Sequence, residues 1–385
     1  MAPAPGETTE LLRALVAIDS VNPDLVPGAA GESRIAGFVT AWFERHGFAV
    51  DRLEATPGRP SIVARKAGTG GGRSLMFNGH LDTTGVADYI GDPFDPRLDG
   101  GRVYGRGSGD MKAGVAAMMI AALRATRCGL AGDLLVACVA DEENGSLGSI
   151  EVAAVYRPDA VIITEPTSLG LVHTHKGFAW YDVIVAGRSA HGSRPDLGID
   201  AIAKAGKVLV AIEAWQQRLA AGRQHPPLGT GSVHASLISG GQEMSSYPAS
   251  CRIRLERRTI PGETAETVAA ELQQMLSEIA AGDSQFNARL ERGLAREPLH
   301  VSPAEPIVSA TLAAAAARLG RPPQLAGMAG WTDCAIFAAK GVPAILFGPD
   351  GDGFHAATEW ADIASLEATT DILAATARDF CGPTA

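Results

Sequence analysis

The 385-residue chain has a formal net charge of −10, and 46% of its residues are hydrophobic and 20% charged. This composition is typical of a soluble protein with a core large enough for two domains, and the lack of basic clusters argues against nucleic acid as a partner. No apolar run is long enough to span a membrane and no secretory signal is visible, so we expect no membrane partner and a cytoplasmic location. Scattered cysteines without a C-x-x-C pair argue against disulfides and thiolate zinc sites and predict buried or free thiols at Cys128, Cys138, Cys251, Cys334 and Cys381.

Outside a central segment, predicted helices and strands alternate along the chain. Apolar residues recur at helical spacing over residues 8–18, 33–46, 111–126, 307–319, 331–339 and 363–378. Short apolar runs predict strands over residues 49–54, 61–65, 134–140, 160–163 and 344–347, and a further run from residue 74 leads into His80. The alternation predicts an α/β fold with a mostly parallel sheet flanked by helices.

The central segment, residues 177–293, has a different pattern. Strand, helix, strand, strand, helix and strand are predicted over residues 180–186, 200–218, 231–238, 249–258, 263–281 and 287–293. This is the split βαβ order of a ferredoxin-like α+β domain, which can be inserted into another domain because its ends lie close together. We therefore predict a larger domain formed by residues 1–176 and 294–385, with the ferredoxin-like domain inserted between them.

A histidine and an aspartate follow one of the buried runs, in the sequence Gly79-His80-Leu81-Asp82. Because α/β sheets bind ligands at the carboxyl ends of their strands, His80 and Asp82 are candidates for a site there. Their spacing suits metal ligation, since the Asp82 carboxylate can accept the second ring N–H of His80 and fix its orientation. A polar pair in a surface loop is the alternative interpretation.

Further acids and a second histidine follow other predicted strands. The run Asp141-Glu142-Glu143 ends one strand, Glu165 follows the next, and His355 lies on a Gly-rich loop after another. Carboxylates gathered at the end of an apolar strand repel one another unless a cation lies among them. A solvated acidic turn is the alternative for the first of these groups.

Oxygen ligands with one imidazole for each ion suit a pair of divalent metals. Zinc is the first expectation, and cobalt and manganese are alternatives. Two ions about 3.5–4 Å apart commonly share a bridging carboxylate, for which Asp110 is the natural candidate.

The segments that carry these residues resemble the M20 family of metallohydrolases, which includes acetylornithine deacetylase, succinyl-diaminopimelate desuccinylase and glutamate carboxypeptidases. The matching segments run in the family's order over nearly the whole chain: residues 79–84 (GHLDTT), 105–114 (GRGSGDMKAG), 141–143 (DEE), 165–167 (EPT), 190–193 (AHGS) and the loop around His355. The resemblance implies a catalytic two-metal domain with an inserted lid domain that also forms a homodimer interface.

The resemblance also implies which residues hold the metals. One ion would be held by His80 and Glu165 and the other by Glu143 and His355, with Asp110 bridging both.

Catalytic roles are implied in the same way. Asp82 would orient His80, and Glu142 would be the general base that takes a proton from the metal-bridging water and passes it to the leaving amine. His191 would stabilise the oxyanion of the tetrahedral intermediate, often from the partner subunit. From the sequence alone, a histidine in a polar loop is more often a surface residue, and only the resemblance favours the catalytic role of His191.

Two further residues are candidates for substrate binding. Arg258 matches an arginine that holds the substrate carboxylate with its bidentate fork, and a solvated arginine at a strand end is the alternative. Ser245 stands where many family members have asparagine, and this departure leaves the substrate contacts there open.

The implied function is metal-dependent hydrolysis of the amide bond of an N-acyl-L-amino acid, of deacetylase or desuccinylase type. Glu165 supports this branch by resemblance, since peptidase branches commonly have aspartate there. A dipeptidase or carboxypeptidase acting on short peptides is the alternative, and a non-catalytic amino-acid- or peptide-binding protein is a second. A nucleotide enzyme fits poorly, because the Gly-x-Gly run over residues 105–109 is a weak signal without a Walker lysine pattern.

Overall fold

A computed structural model describes residues 6–127 and 129–383. These residues form two compact units: the first comprises the described parts of Met1–His173, Val301–Ala326 and Asp333–Ala385, and the second comprises Thr174–His300 and Gly327–Thr332. No helix of the described residues is long and apolar enough to cross a membrane. Cys128 lies outside the described residues, and the other four cysteines are buried.

The α-helices of the described residues are α1 (Glu7–Val16), α2 (Ser33–Arg45), α3 (Ala113–Thr126), α4 (Leu147–Val155), α5 (Ala201–Ala221), α6 (Ala265–Gly282), α7 (Pro306–Leu319), α8 (Cys334–Ala338) and α9 (Ile363–Phe380). The strands are β1 (Ala49–Leu53), β2 (Ser61–Lys66), β3 (Leu75–His80), β4 (Arg97–Asp99), β5 (Arg102–Tyr104), β6 (Leu134–Val139), β7 (Ala160–Ile163), β8 (Leu171–His175), β9 (Gly177–Ala186), β10 (Ser232–Gly240), β11 (Ser250–Thr259), β12 (Asn287–Arg296), β13 (Leu299–His300), β14 (Leu325–Met328), β15 (Ala344–Leu346), β16 (Gly351–Asp352) and β17 (Trp360–Asp362).

Four parallel strands form the centre of the main sheet, in the order β6-β3-β7-β15. Every residue of these four strands is buried, as expected for the continuous apolar runs of a parallel sheet. Antiparallel pairs extend the sheet, with β2 and β1 beyond β6 and β8 beside β15. Helices α2, α3, α4 and α8 pack against strands of this sheet. The predicted α/β fold class is confirmed, with the parallel arrangement at the centre of the sheet.

A small antiparallel sheet in the first unit, with the order β16-β17-β5-β4, was not predicted. Two of these short strands, β4 and β5, lie within residues 83–109, where the sequence predicts no helix or strand. β4 pairs with the adjacent β5, and β5 pairs with β17 from the far end of the chain. Strands of two or three residues carry no periodic signal that could predict the second pairing. Helix α4 and strands β8 and β14 were also missed.

The second unit contains a four-stranded antiparallel sheet with the order β10-β11-β9-β12. Along the chain, its elements follow the predicted order β9-α5-β10-β11-α6-β12, which has ferredoxin-like connectivity. The two helices bury apolar side chains such as Ile212 and Leu272 in one core with Val183 and Ile253 of the strands. The order of strands and helices predicted for this α+β part of the chain is therefore confirmed.

Candidate metal centre

The candidate ligands of the first unit follow the carboxyl ends of its four parallel strands. His80 is the last residue of β3, while Glu142 and Glu143 come shortly after β6. Glu165 comes shortly after β7, and His355 lies beyond β15, in the loop between β16 and β17. Because these strands are parallel, their carboxyl ends lie at one edge of the sheet, and the five side chains can meet there.

Asp110 reaches the same edge from a kinked turn, Ser108–Lys112, in which Asp110 and Met111 have non-helical backbone angles. The turn leads directly into α3. The helix begins very close to the end of β7, since a Cβ on Gly114 would lie 1.9 Å from the carbonyl oxygen of Thr164. Only glycine permits this approach, and it brings the start of α3 beside the residue that precedes Glu165.

A buried carboxylate that the sequence did not reveal, Glu359, holds the backbone around Asp110. Its Oε1 accepts the amide hydrogens of Gly109 and Asp110 at 3.0 and 2.9 Å. Its Oε2 accepts the amide hydrogen of Gly107 at 2.9 Å and a guanidinium hydrogen of Arg106 at 2.8 Å. The carboxylate therefore fixes the turn that carries the candidate bridging ligand.

The two oxygens of the Asp110 carboxylate face two different sets of ligands. Its Oδ1 lies 3.2 Å from Nε2 of His80, and that nitrogen lies 3.7 Å from Oε1 of Glu165. Its Oδ2 lies 3.4 Å from Nε2 of His355, which lies 3.1 Å from Oε2 of Glu143. Asp110 thus stands between a pair formed by His80 and Glu165 and a pair formed by His355 and Glu143.

The residues fit a metal centre. Potential ligand atoms of His80, Glu142 and Glu165 lie within 4.8 Å of one another, as do those of His80, Asp110 and Glu143. In addition, Oε1 of Glu143 is buried and has no hydrogen-bond partner among the described residues. A buried carboxylate oxygen without a donor is costly, and a cation would remove that cost.

Electrostatics support the same conclusion. Burial, together with the charge of Asp110, raises the pKa of Glu165 well above its usual value. Burial and the nearby charges of Glu165 and Asp333 likewise raise the pKa of Glu142. Conversely, hydrogen bonds to Asp110 and Glu143 raise the pKa of His355 to about 10. Without metal, the cluster therefore favours protons on Glu142, Glu165 and His355, and divalent ions would supply the missing positive charge.

The position of Asp82 corrects one prediction. Nδ1 of His80 lies 2.9 Å from the carbonyl oxygen of Asp82 but 3.6 Å from its carboxylate Oδ1. The carboxylate instead accepts hydrogen bonds from the amides of Glu142 and Glu143 at 3.1 and 3.2 Å, and from Nδ2 of Asn22 at 2.8 Å. Asp82 thus contacts the His80 ring through its main chain, because its carboxylate is engaged by the turn after β6.

The other three candidates lie in the second unit. His191 is exposed, and its Nδ1 lies 2.8 Å from Oγ of Ser193. Ser245 is close to it, since the Ser245 carbonyl accepts the amide hydrogen of Gly192 at 2.6 Å. On β11, Arg258 donates to Glu256. The structure therefore brings His191 and Ser245 together within this unit and gives Arg258 a local carboxylate partner.

Comparison with known proteins identifies the family. The sequence profile of peptidase family M20/M25/M40 matches residues 76–379. An acetylornithine deacetylase of Myxococcus xanthus is 31% identical over 398 aligned residues, which cover 98% of this chain and 99% of that protein. An N-formyl-4-amino-5-aminomethyl-2-methylpyrimidine deformylase of Bacillus subtilis is 25% identical, with coverage of 90% and 89%. A solved structure of a dinuclear metal-binding peptidase of the M20 family from Bacillus subtilis has a TM-score of 0.76 and 16% identity, and the match covers 98% of both chains.

The profile spans most of the chain, and the Myxococcus relative matches it from end to end. The chain therefore belongs to peptidase family M20/M25/M40 and is an amidohydrolase of that family.

Proposed function

We propose that the protein hydrolyses the amide bond of an N-acyl-L-amino acid with two divalent metal ions. The observation that carries this proposal is the Asp110 carboxylate, whose two oxygens face one histidine–glutamate pair each. Similarity over the full chain to an acetylornithine deacetylase supports the acyl-amino-acid substrate class.

The metal ligands in this proposal are those that the resemblance implies. One ion would be held by His80 and Glu165, the other by Glu143 and His355, and both by Asp110. Bound ions would polarise the amide carbonyl and lower the pKa of the attacking water. We propose zinc as the native metal, with cobalt or manganese as alternatives, because the donors are imidazoles and carboxylates without thiolates.

Glu142 is the proposed general base. Its Oε2 lies 4.0 Å from Nε2 of His80, within the ligand cluster, yet Glu142 belongs to neither of the pairs that Asp110 separates. The carboxylate would accept a proton from the attacking water and deliver it to the departing nitrogen, so that the amine leaves uncharged. Its raised pKa, caused first by burial, suits a group that must both take and release this proton.

We also propose roles for the candidate residues of the second unit, on the basis of the resemblance. His191 would stabilise the oxyanion of the tetrahedral intermediate, from the same or the partner subunit, and Arg258 would hold the substrate carboxylate. Ser245, beside His191, would contribute to substrate choice.

The second unit is also the proposed dimerisation domain. Its edge strand β10 presents two apolar side chains, Leu237 and Ile238, which are 61% and 53% exposed. An exposed apolar edge strand is a ready surface for pairing with another chain.

A dipeptidase or carboxypeptidase is the alternative function. It is supported by the solved M20 peptidase that shares the fold, and its chemistry would use the same cluster. The deformylase relative shows that similar chains also include a protein named for removal of a formyl group, so the acyl group must be determined directly.

A substrate screen tests the proposal. Metal-free protein, reloaded with zinc, cobalt or manganese, would be offered N-acetylornithine, N-succinyl-diaminopimelate, other N-acyl amino acids and dipeptides. We expect turnover of at least one N-acyl amino acid, with activity lost on chelation and restored by metal. Turnover of dipeptides alone would replace the deacylase by the peptidase, and hydrolysis that survives complete metal removal would contradict the metal mechanism.

A further inference from the structure

Arg59 is a buried arginine that contacts four side chains near the metal centre. It is 6% exposed, and its Nε and Nη2 donate to the two oxygens of Glu32 at 2.8 and 2.7 Å. Nη2 also donates to Oδ1 of Asn22 at 3.1 Å and to Oδ1 of Asp141 at 2.9 Å, and Nη1 donates to Asp24. The bidentate bond to Glu32 fixes the plane of the guanidinium, so the positions of its remaining donors are fixed as well.

Asn22 connects this arginine to Asp82. While its Oδ1 accepts from Arg59, its Nδ2 donates to Oδ2 of Asp82 at 2.8 Å and to Oδ1 of Asp141 at 3.0 Å. The main chain holds the asparagine in register, because its amide donates to the carbonyl of Thr83 at 2.9 Å. All the polar side chains of this connection are buried, where hydrogen bonds are strongest and hardest to replace by water.

Asp82 carries the connection to the residues that do chemistry. Its carboxylate accepts from the amides of Glu142 and Glu143, the proposed base and a proposed metal ligand. A path of hydrogen bonds therefore runs from Arg59 through Asn22 and Asp82 to the backbone amides of Glu142 and Glu143.

The turn before those peptide groups needs such support. Asp141 has a φ of 65°, a left-handed conformation that is unfavourable for a residue with a side chain. The same Oδ1 that meets Arg59 and Asn22 holds this residue in place. Without those two donors, a relaxed Asp141 would carry the backbone of Glu142 and Glu143 away from the cluster.

We propose that Arg59 and Asn22 are positioning residues of the metal centre, which act by fixing the turn that carries Glu142 and Glu143. The effect on turnover rests on the proposed function, whereas the effect on metal binding requires no substrate. A network that merely stabilises the fold would lower the unfolding temperature and leave the affinity of folded protein for metal unchanged.

The variants Asn22→Ala and Arg59→Lys separate the two explanations. Asn22→Ala removes the connection and leaves every charge in place, while a lysine keeps the charge at position 59 but cannot replace the arginine fork. Arg124→Met is the matched control, since Arg124 pairs with Asp371 at 3.0 Å and Glu367 at 3.9 Å from the end of α3 remote from Asp110.

The measurement is titration of metal-free protein with Co²⁺, followed by visible absorption, together with kcat, KM and the unfolding temperature. We expect Asn22→Ala to weaken the affinity for one of the two ions by about 10- to 100-fold and to lower kcat by a similar factor, with little change in KM. Arg59→Lys should lie between this variant and the wild type. Arg124→Met should lower the unfolding temperature while keeping metal affinity and kcat.

Unchanged Co²⁺ affinity and kcat in both Asn22→Ala and Arg59→Lys would overturn the positioning role. So would losses of Co²⁺ binding and kcat that are no larger than the fraction of unfolded protein in each variant explains. If the wild type binds two Co²⁺ ions but hydrolyses no N-acyl amino acid, the proposed function fails and the affinity comparison still decides the positioning role. A wild type that binds no Co²⁺ would refute both.

Discussion

Buried histidines of the two units behave in opposite ways. His80 in the first unit is surrounded by carboxylates, and although burial opposes its charge, the hydrogen bond to Asp110 and the charge of Glu165 raise its pKa well above the usual value. His175 in the second unit is equally buried, and burial lowers its pKa to about 4. Burial alone therefore keeps an imidazole neutral, while an excess of buried acids charges it.

The candidate site residues of the two units also differ in their burial and in their partners. Those of the first unit are gathered in one largely buried cluster, in which each imidazole lies against two or more acids. His191, in the second unit, is exposed and pairs with a serine two residues away. Metal ligation thus requires many side chains held together, whereas His191, for which we propose a role at the substrate, lies in solvent beside a local partner.

Removal of the proposed base should give the largest change in rate. Glu142→Ala should lower kcat by about 10² to 10⁴, because proton transfer to the leaving nitrogen is lost, while both metal ions remain bound. Glu143→Ala is the matched comparison, and it should lose metal as well as rate. Metal analysis and steady-state kinetics on both variants check this, and a fully active Glu142→Ala enzyme would show that another group is the base.

Because His175 is kept neutral in the folded protein, the free energy of unfolding should depend on pH. Its pKa falls from 6.5 to about 4 on folding, so between these values the unfolded chain binds a proton that the folded chain does not. The resulting contribution to the free energy of unfolding is complete above pH 6.5 and is lost as the pH falls towards 4. In total it amounts to about 3 kcal/mol. Denaturant titrations across this pH range, followed by tryptophan fluorescence, measure the free energy of unfolding. It should fall less on acidification in His175→Phe than in the wild type. Parallel losses in the wild type and the variant would contradict this.

Glu359 supports the Asp110 turn, so its replacement should have a moderate effect on the metal affinity of the cluster. In Glu359→Gln the side-chain amide cannot accept from the donors on Oε2, so the turn loosens and metal affinity should fall by about 10- to 100-fold. Asp371→Asn, which alters a half-exposed ion-pair partner of Arg318, is the control. Calorimetric titration with zinc measures the affinities, and equal affinities in both variants would refute the supporting role.

The smallest effect is expected in the second unit. Arg258 is 34% exposed and already donates to Glu256, so Arg258→Met should raise KM by a factor of about ten or less and leave kcat nearly unchanged. Ser245→Ala should change KM less. Steady-state kinetics with the substrate found in the screen decide this, and an equal fall in kcat and kcat/KM would instead assign Arg258 a contact made in the transition state.

The sequence allowed the central sheet and the neighbourhood of the metal ligands to be predicted, because both follow from one local signal. Each central strand is a buried apolar run, and the polar residue that ends the run must lie at the carboxyl edge of a parallel sheet. His80 and Glu165 could be placed in this way without knowledge of any long-range contact.

The network behind the site could not be predicted. Asn22, Arg59 and Asp141 meet across three distant segments, and no periodicity or motif marks any of them as a partner of Asp82. Glu359 was also missed, since three of the four donors to its carboxylate are backbone amides, which no side-chain pattern reveals. The sequence predicts a contact between the Asp82 carboxylate and the His80 ring for the same reason. The actual donors to this carboxylate include the backbone amides of Glu142 and Glu143, which side-chain patterns do not reveal.

Metal stoichiometry tests the central claim most directly. Wild-type protein and Asp110→Ala would be equilibrated with zinc, freed of excess metal by gel filtration and analysed for bound metal per chain. The bridging position of Asp110 between the His80–Glu165 and His355–Glu143 pairs predicts two ions in the wild type and loss of at least one in the variant. A wild type that holds a single ion, or an Asp110→Ala variant that keeps both with unchanged affinity, would contradict it.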